Sequence, residues 1–106
     1  MITQGVIYDP VRNDLFTATK GAGAYLNEKR IRVTKLDRIA NALLSTGYQA
    51  GNAKALDEYL KMYAIMAERS HGVRRPGSAA LDLAYVASGR LDGLRKRPEA
   101  LGYRCR

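Results

Sequence analysis

The chain has 106 residues, 46% of them hydrophobic and 26% charged, and a formal net charge of +8. This is ordinary globular usage for one small domain, which excludes a wholly disordered chain, and no apolar run approaches a membrane span. One Cys excludes an internal disulfide framework or a Cys-rich metal site, and one His, His71, argues against His-based catalysis or metal binding.

The first ten residues, MITQGVIYDP, lack the basic start and apolar stretch of a secretory signal, so the cytoplasm is the expected compartment. The segment from Gly5 to Val33 reads as a β-meander. Gly5–Tyr8 is apolar and β-prone, and Asp9 to Asp14 carries turn residues, with Pro10 pre-setting φ. Leu15–Thr19 is a second strand and Gly21-Ala22-Gly23 breaks it. Ala24–Leu26 is a short third strand, Asn27-Glu28-Lys29 a further turn, and Arg30–Val33 alternates with period two as a fourth strand would.

Ala42–Thr46 is a short apolar run consistent with a buried strand. The stretch NAKALDEYLKMYAIMAERS is the clearest helix. Leu56, Leu60, Tyr63 and Ala67 fall on one face, widened by Met62, Ile65 and Met66. Asp57 and Glu58 sit toward its N-terminal end, where negative charge suits the dipole, and Gly72 is expected to close it with a left-handed turn. Val73–Arg75 is a short strand broken by Pro76-Gly77. SAALDLAYVASG is a second helix with Ser78 as N-cap and Gly89 as stop, and Arg90–Leu94 begins another strand. Strands first, then strand–helix–strand–helix–strand, predict a mixed, layered α/β fold.

Two stretches carry more than a pattern: GVIYDPVRNDLFTATKGAGAYLN and RRPGSAALDLAYVASGRLDG. In order, they contain a G-V-I/V-Y-D/N-P strand, an L-F-T-A strand, a G-x-G-A-x-x-N turn and a G-S/T-A-A-L-D-L-A-Y-V-A-x-G helix. In this the chain resembles the inositol monophosphatase family, of the magnesium-dependent, lithium-sensitive phosphatase superfamily, from Gly5 to Gly93. The resemblance implies a layered α-β-α-β-α fold, with residues 1–94 as a partial domain. It implies hydrolysis of phosphate monoesters of small polyols, such as inositol monophosphate, by Mg²⁺-assisted attack of water. Homo-oligomers are also common in the family.

By the same resemblance, Gly77, Ser78 and Ala79 match the turn that holds inositol hydroxyls. A glycine allows close backbone approach, and helix-start N–H groups are free donors. Read without the resemblance, Gly77-Ser78 is a helix cap. The family's metal ligands come from an early Glu-Glu pair, a D-P-I/L-D-G-T motif and a late W-D-x-A-A-G motif. None of the three is in this sequence, and it has no Trp. Asp9-Pro10 is followed by Val11, Arg12 and Asn13 and does not form the second motif. The chain is therefore expected to be an internal fragment that binds Mg²⁺ poorly and is inactive by itself, with no catalytic or metal residues of its own.

The remaining candidates read as structural. His71 reads as a surface loop residue. Arg74-Arg75 could touch phosphate, but the resemblance implies that phosphate lies near the missing motifs, so the pair reads as strand-edge charges. Cys105 has no His or acid beside it to activate it. The basic excess invites a nucleic-acid reading, with a small basic binding or interaction protein as the alternative function. Its distribution argues against this. Arg95, Lys96, Arg97, Arg104 and Arg106 stand against Glu99 alone, so residues 95–106 carry half of the +8. The tyrosines also lack the basic interleaving of a stacking platform.

Residues 95–106 depart from the family pattern, which expects an aromatic residue, a Glu and then W-D. One codon choice for Leu94–Arg106, read one base later, translates as FEKGLKPWDIAA. A single-base frameshift near residue 94 accounts for the basic tail. Sequencing the coding DNA tests this: the shifted frame should spell the W-D motif, and codons incompatible with it would refute the frameshift.

Overall fold

The computed structural model describes residues 1–47 and 53–95. Four strands form an antiparallel meander in the order β1 (Gln4–Asp9), β2 (Asp14–Thr19), β3 (Gly23–Leu26) and β4 (Lys29–Arg30). A 3₁₀ turn, Ile39–Asn41, leads into β5 (Leu43–Thr46). Then follow α1 (Ala53–Arg69), β6 (Gly72–Arg74), α2 (Ala79–Ala87) and β7 (Gly93–Arg95). The last three strands form a parallel sheet in the order β6-β5-β7. The expected mixed α/β architecture is the observed one. No helix among the described residues is long and apolar enough to cross a membrane.

The β1–β2 turn bends at Asn13, with φ of 53°, and Asp14, expected in the turn, already belongs to β2. Asn27 and Glu28 both take positive φ in the β3–β4 turn. The register places Ile7, Phe16 and Leu26 on one face of the meander. Phe16 is buried on that face and meets Tyr85 of α2 edge-on, with ring centroids 6.0 Å apart. The opposite face carries Val6, Tyr8 and Leu15, all exposed.

β5 occupies the centre of the parallel sheet, where Ser45 and Thr46 have no exposed surface. Asp92 clamps its first residue from both sides of the peptide. The Asp92 amide donates to the Leu43 carbonyl at 2.8 Å, and the Leu43 amide donates to the Asp92 carboxylate at 2.7 Å. This clamp keeps 90–92 out of the strand, so β7 starts at Gly93 rather than Arg90.

Three local expectations are corrected. Arg30–Val33 is not a strand beyond Arg30. Ile31 makes one further ladder bond, to Ala24, and the chain then crosses to the end of α2. There the Arg32 carbonyl and Thr34 lie against Gly89. Gly72 does not close α1 with a left-handed turn; it opens β6. The helix ends where the Ser70 hydroxyl turns back onto the Met66 carbonyl, at 2.6 Å, and the His71 amide bonds Ala42. Asp57 and Glu58 lie beyond the first turn of α1, which holds no acidic residue.

The packed face of α1 agrees with the expected one only in part: Leu56, Met62 and Met66 are half-buried as expected, and the rest of that face is not. Ala55 is buried, and Tyr59, Met62 and Met66 continue its stripe half-buried. Leu60, Tyr63, Ile65 and Ala67 are exposed. The helix is apolar on more than one side, so periodicity alone did not choose which side meets β6.

Phe16 is the large aromatic of a small core otherwise made of Ala42, Ala55, Ala84 and Leu91. Phe16→Ala should therefore destabilise the fold by about 3–5 kcal/mol, as for other buried aromatic truncations. Urea unfolding measures it, and a loss under about 1 kcal/mol would mean that the meander does not pack on α2.

Candidate functional site

The polypeptide leaves β6 at Arg74 and reaches α2 through Arg75, Pro76, Gly77 and Ser78. Gly77 takes φ of 94°, a conformation that side chains resist. No atom of the described residues lies within 4 Å of where a Cβ there would sit, so among them its surroundings are open. Ser78 is the N-cap, with extended backbone angles and its hydroxyl accepting from the Leu81 amide at 3.4 Å. Ala79 is the first helical residue. Gly77, Ser78 and Ala79 thus form an open turn leading into a capped helix start. Asp82, in the first turn, is fully buried.

A second constellation forms where α2 meets the meander. Asp9 accepts from the Val11 and Arg12 amides at 3.1 and 3.3 Å, which shapes the β1–β2 turn. Its other oxygen accepts from the Tyr85 hydroxyl at 2.9 Å. Asp14, opposite Asp9 across the hairpin, accepts from Arg90 at 2.7 Å. The Arg12 and Arg90 guanidiniums lie 6.0 and 5.4 Å from the centre of the Tyr85 ring. Beside this cluster opens a cleft of about 330 Å³, lined by Arg12, Arg74, Arg75 and Arg90 together with Tyr85 and Pro76.

The electrostatics follow from these contacts. Burial opposes ionisation of Asp9, but the Tyr85 hydrogen bond, the Arg12 and Val11 amides and the Arg12 charge outweigh it, holding the carboxyl below its ordinary value. Burial raises the Tyr85 phenol, and donation to the negative Asp9 raises it further, against the opposing charges of Arg12 and Arg90.

Sequence reasoning missed this cluster. It treated Asp9 as a turn residue and Arg74-Arg75 as a strand-edge pair of charges. Arg74 and Arg75 are exposed, as expected of such a pair, but they share a cleft with Arg12 and Arg90. His71 is exposed between α1 and β6, as expected. Cys105 and the rest of residues 96–106 lie outside the described residues.

The model of the Inositol monophosphatase family matches residues 1–101. The chain belongs to the inositol monophosphatase family. It is 48% identical over 89 residues to the Nus factor SuhB of Haemophilus influenzae, covering 84% of this chain and 33% of that protein. The Nus factor SuhB of Escherichia coli K12 is 44% identical over 88 residues, with 83% and 33% covered. Among solved structures, the inositol monophosphatase from Anabaena superposes with a TM-score of 0.84 at 40% identity, covering 90% of this chain and 38% of that one. The extragenic suppressor protein suhB from Bartonella henselae gives 0.83 at 41%, with 90% and 37% covered. The chain spans about a third of the length of the curated relatives that it matches.

Inositol monophosphatases depend on Mg²⁺, and the described residues do not fit such a centre. No three Asp, Glu, His or Cys side chains among them could jointly hold a metal ion. Asp9 and Asp14, opposite each other across the hairpin, spend their oxygens on Tyr85, backbone amides and Arg90. A hard cation there would have to compete with these structural contacts.

Because the folded value of Asp9 lies below the unfolded one, its carboxylate stabilises the fold at neutral pH. That contribution persists above the ordinary value of 3.8 and is lost as the pH falls through the lowered one. Asp9→Asn should lower stability at pH 7 and remove this part of the acid dependence. Unfolding followed by circular dichroism from pH 7 to pH 2 reads both effects.

Proposed function

We propose that this chain is a segment of a phosphoric monoester hydrolase of the inositol monophosphatase type. In this reading Gly77, Ser78 and Ala79 contribute to the polyol-binding side of the intact enzyme. The observation that carries it is the family membership over nearly the whole chain, joined to the open left-handed turn at Gly77 and the capped helix start behind it. A turn of that shape lets a ligand hydroxyl approach the backbone without meeting a side chain. The helix start supplies amide donors, and Ser78 both caps the helix and presents its hydroxyl near them.

The chemistry of the family needs carboxylates that this sequence does not bring together, so we infer that the 106-residue chain alone does not hydrolyse inositol monophosphate. Residues 1–94 are then a partial domain and residues 95–106 a tail outside its frame, although the family model itself matches through residue 101. A second reading rests on the name shared by several relatives, Nus factor: the whole protein would serve through an interaction with partners rather than through turnover.

A phosphate-release assay with inositol monophosphate and Mg²⁺ tests the first inference. We expect no release above the buffer blank, and turnover by the purified chain would overturn it. The binding role is tested separately by titrating the chain with myo-inositol and following amide resonances. Shifts should centre on Gly77, Ser78 and Ala79; shifts elsewhere alone would sink the assignment.

A further inference from the structure

The positive charge of the chain is concentrated. Residues 1–94 hold 13 basic and 9 acidic residues. Lys29, Arg30, Arg32, Lys35 and Arg38, set against Asp37 alone, carry the whole of that excess of four. Outside residues 29–39 the same span has eight residues of each sign. The charge gathers where the chain leaves β4 and runs to the 3₁₀ turn, a stretch that from Ile31 to Arg38 is neither helix nor strand.

A repeat of three runs through this stretch. Arg32, Lys35 and Arg38 form a basic row, and Val33, Leu36 and Ile39 an aliphatic one. Ile31 and Thr34 take the inner side: both are half-buried, and Thr34 lies against Gly89. Both outer rows are exposed, with 64, 42 and 54% of Val33, Leu36 and Ile39 open to solvent. Every residue from Lys35 to Asn41 is exposed, so this part stands out from the fold. Arg30 is engaged, its guanidinium 5.9 Å from the centre of the Tyr25 ring. Lys29, Arg32, Lys35 and Arg38 make no ion pair or side-chain hydrogen bond with any described residue.

The combination of charge and shape restricts what can cover the stretch. A face awaiting the rest of a domain would be apolar, and burying four unpaired cations costs more than three aliphatic side chains return. The partner is therefore anionic. A platform for single-stranded nucleic acid would carry aromatic rings, and residues 29–39 have none. A surface that reads an acidic peptide needs recesses for its side chains, whereas here the aliphatic groups project outward. Outward alkyl groups among cations match a soft anionic surface, in which the cations meet headgroups and the alkyl groups enter the acyl boundary.

We propose that residues 29–39 are a peripheral docking surface for an anionic lipid membrane. Arg32, Lys35 and Arg38 hold the headgroup layer, and Val33, Leu36 and Ile39 enter the boundary beneath it. The surface uses no residue of the polyol turn and does not rest on that reading.

The test is co-sedimentation of the full chain with vesicles of phosphatidylcholine alone and of phosphatidylcholine with roughly one-third phosphatidylserine. Binding should be at least tenfold stronger to the anionic vesicles. Arg32→Gln/Lys35→Gln/Arg38→Gln should weaken it at least tenfold, and Lys54→Gln/Lys61→Gln/Arg69→Gln on α1, which removes equal charge, should leave it within twofold. Arg32→Lys/Arg38→Lys should retain it, which a folding defect would not allow. Val33→Asn/Leu36→Asn/Ile39→Asn keeps every charge and should weaken binding several-fold at high salt, where charge is screened. Equal binding to both vesicles, equal loss in the α1 control, or binding that survives the glutamine or the asparagine changes would overturn the proposal. Parallel arms use a short single-stranded oligonucleotide and a glutamate-rich peptide. Tighter binding of either than of the anionic vesicles, lost in the glutamine variant, would overturn the lipid assignment.

Discussion

Tyr85 and Asp9 are 76 positions apart in the chain and joined by a 2.9 Å hydrogen bond. Much of the structure depends on that contact. The meander and the parallel sheet share no strand, and α2 is the element that packs against both. Tyr85 lies on α2 with its ring edge against Phe16 and its hydroxyl on Asp9. Arg90, just past the end of α2, adds a charged tie to Asp14 at 2.7 Å. Two carboxylates of one hairpin are thereby answered by one helix and its exit. Breaking one partner of a half-buried, charge-assisted bond leaves the other poorly solvated, so such a joint is more cooperative than its bond count implies.

The joint also has a geometric consequence. It draws the β1–β2 turn toward the end of β6, and with it Arg12 toward Arg74 and Arg75. The carboxylates of Asp9 and Asp14 are committed to holding the two units together. Acidic residues in a member of a metal-dependent family therefore serve here as structural anchors, and the cleft beside them is basic rather than acidic. The turn at Gly77 keeps its open, left-handed form, one residue beyond the wall of that cleft.

Much of the fold was legible in the sequence because its signals are short in range. Pro10 and Asn13 mark the first turn, and Asn27-Glu28 the β3–β4 turn. Ser78 caps α2, and Gly89 ends it with φ of 81°. Each depends on a handful of neighbouring residues. The failures share the opposite character. Arg30–Val33 alternates as a strand does, but the chain leaves the sheet to pack against Gly89. The apolar surface of α1 is broad, and contact with β6 chose the Ala55–Tyr59–Met62–Met66 side. The turn at 77–79 was legible through its motif. The arginine cleft was not, since no local pattern links Arg12 to Arg74, Arg75 and Arg90.

The sequence by itself determined the meander, both helices, the cap and stop of α2, and membership of the inositol monophosphatase family. These rest on backbone preferences and motifs carried by contiguous residues. Tertiary structure alone decided which side of α1 is buried, that Asp9 and Asp14 are anchors, and that four arginines from three segments share one opening. The physical reason is range. Backbone angles and capping bonds are settled within a few residues, whereas the energy of a charge depends on which distant groups the fold sets beside it.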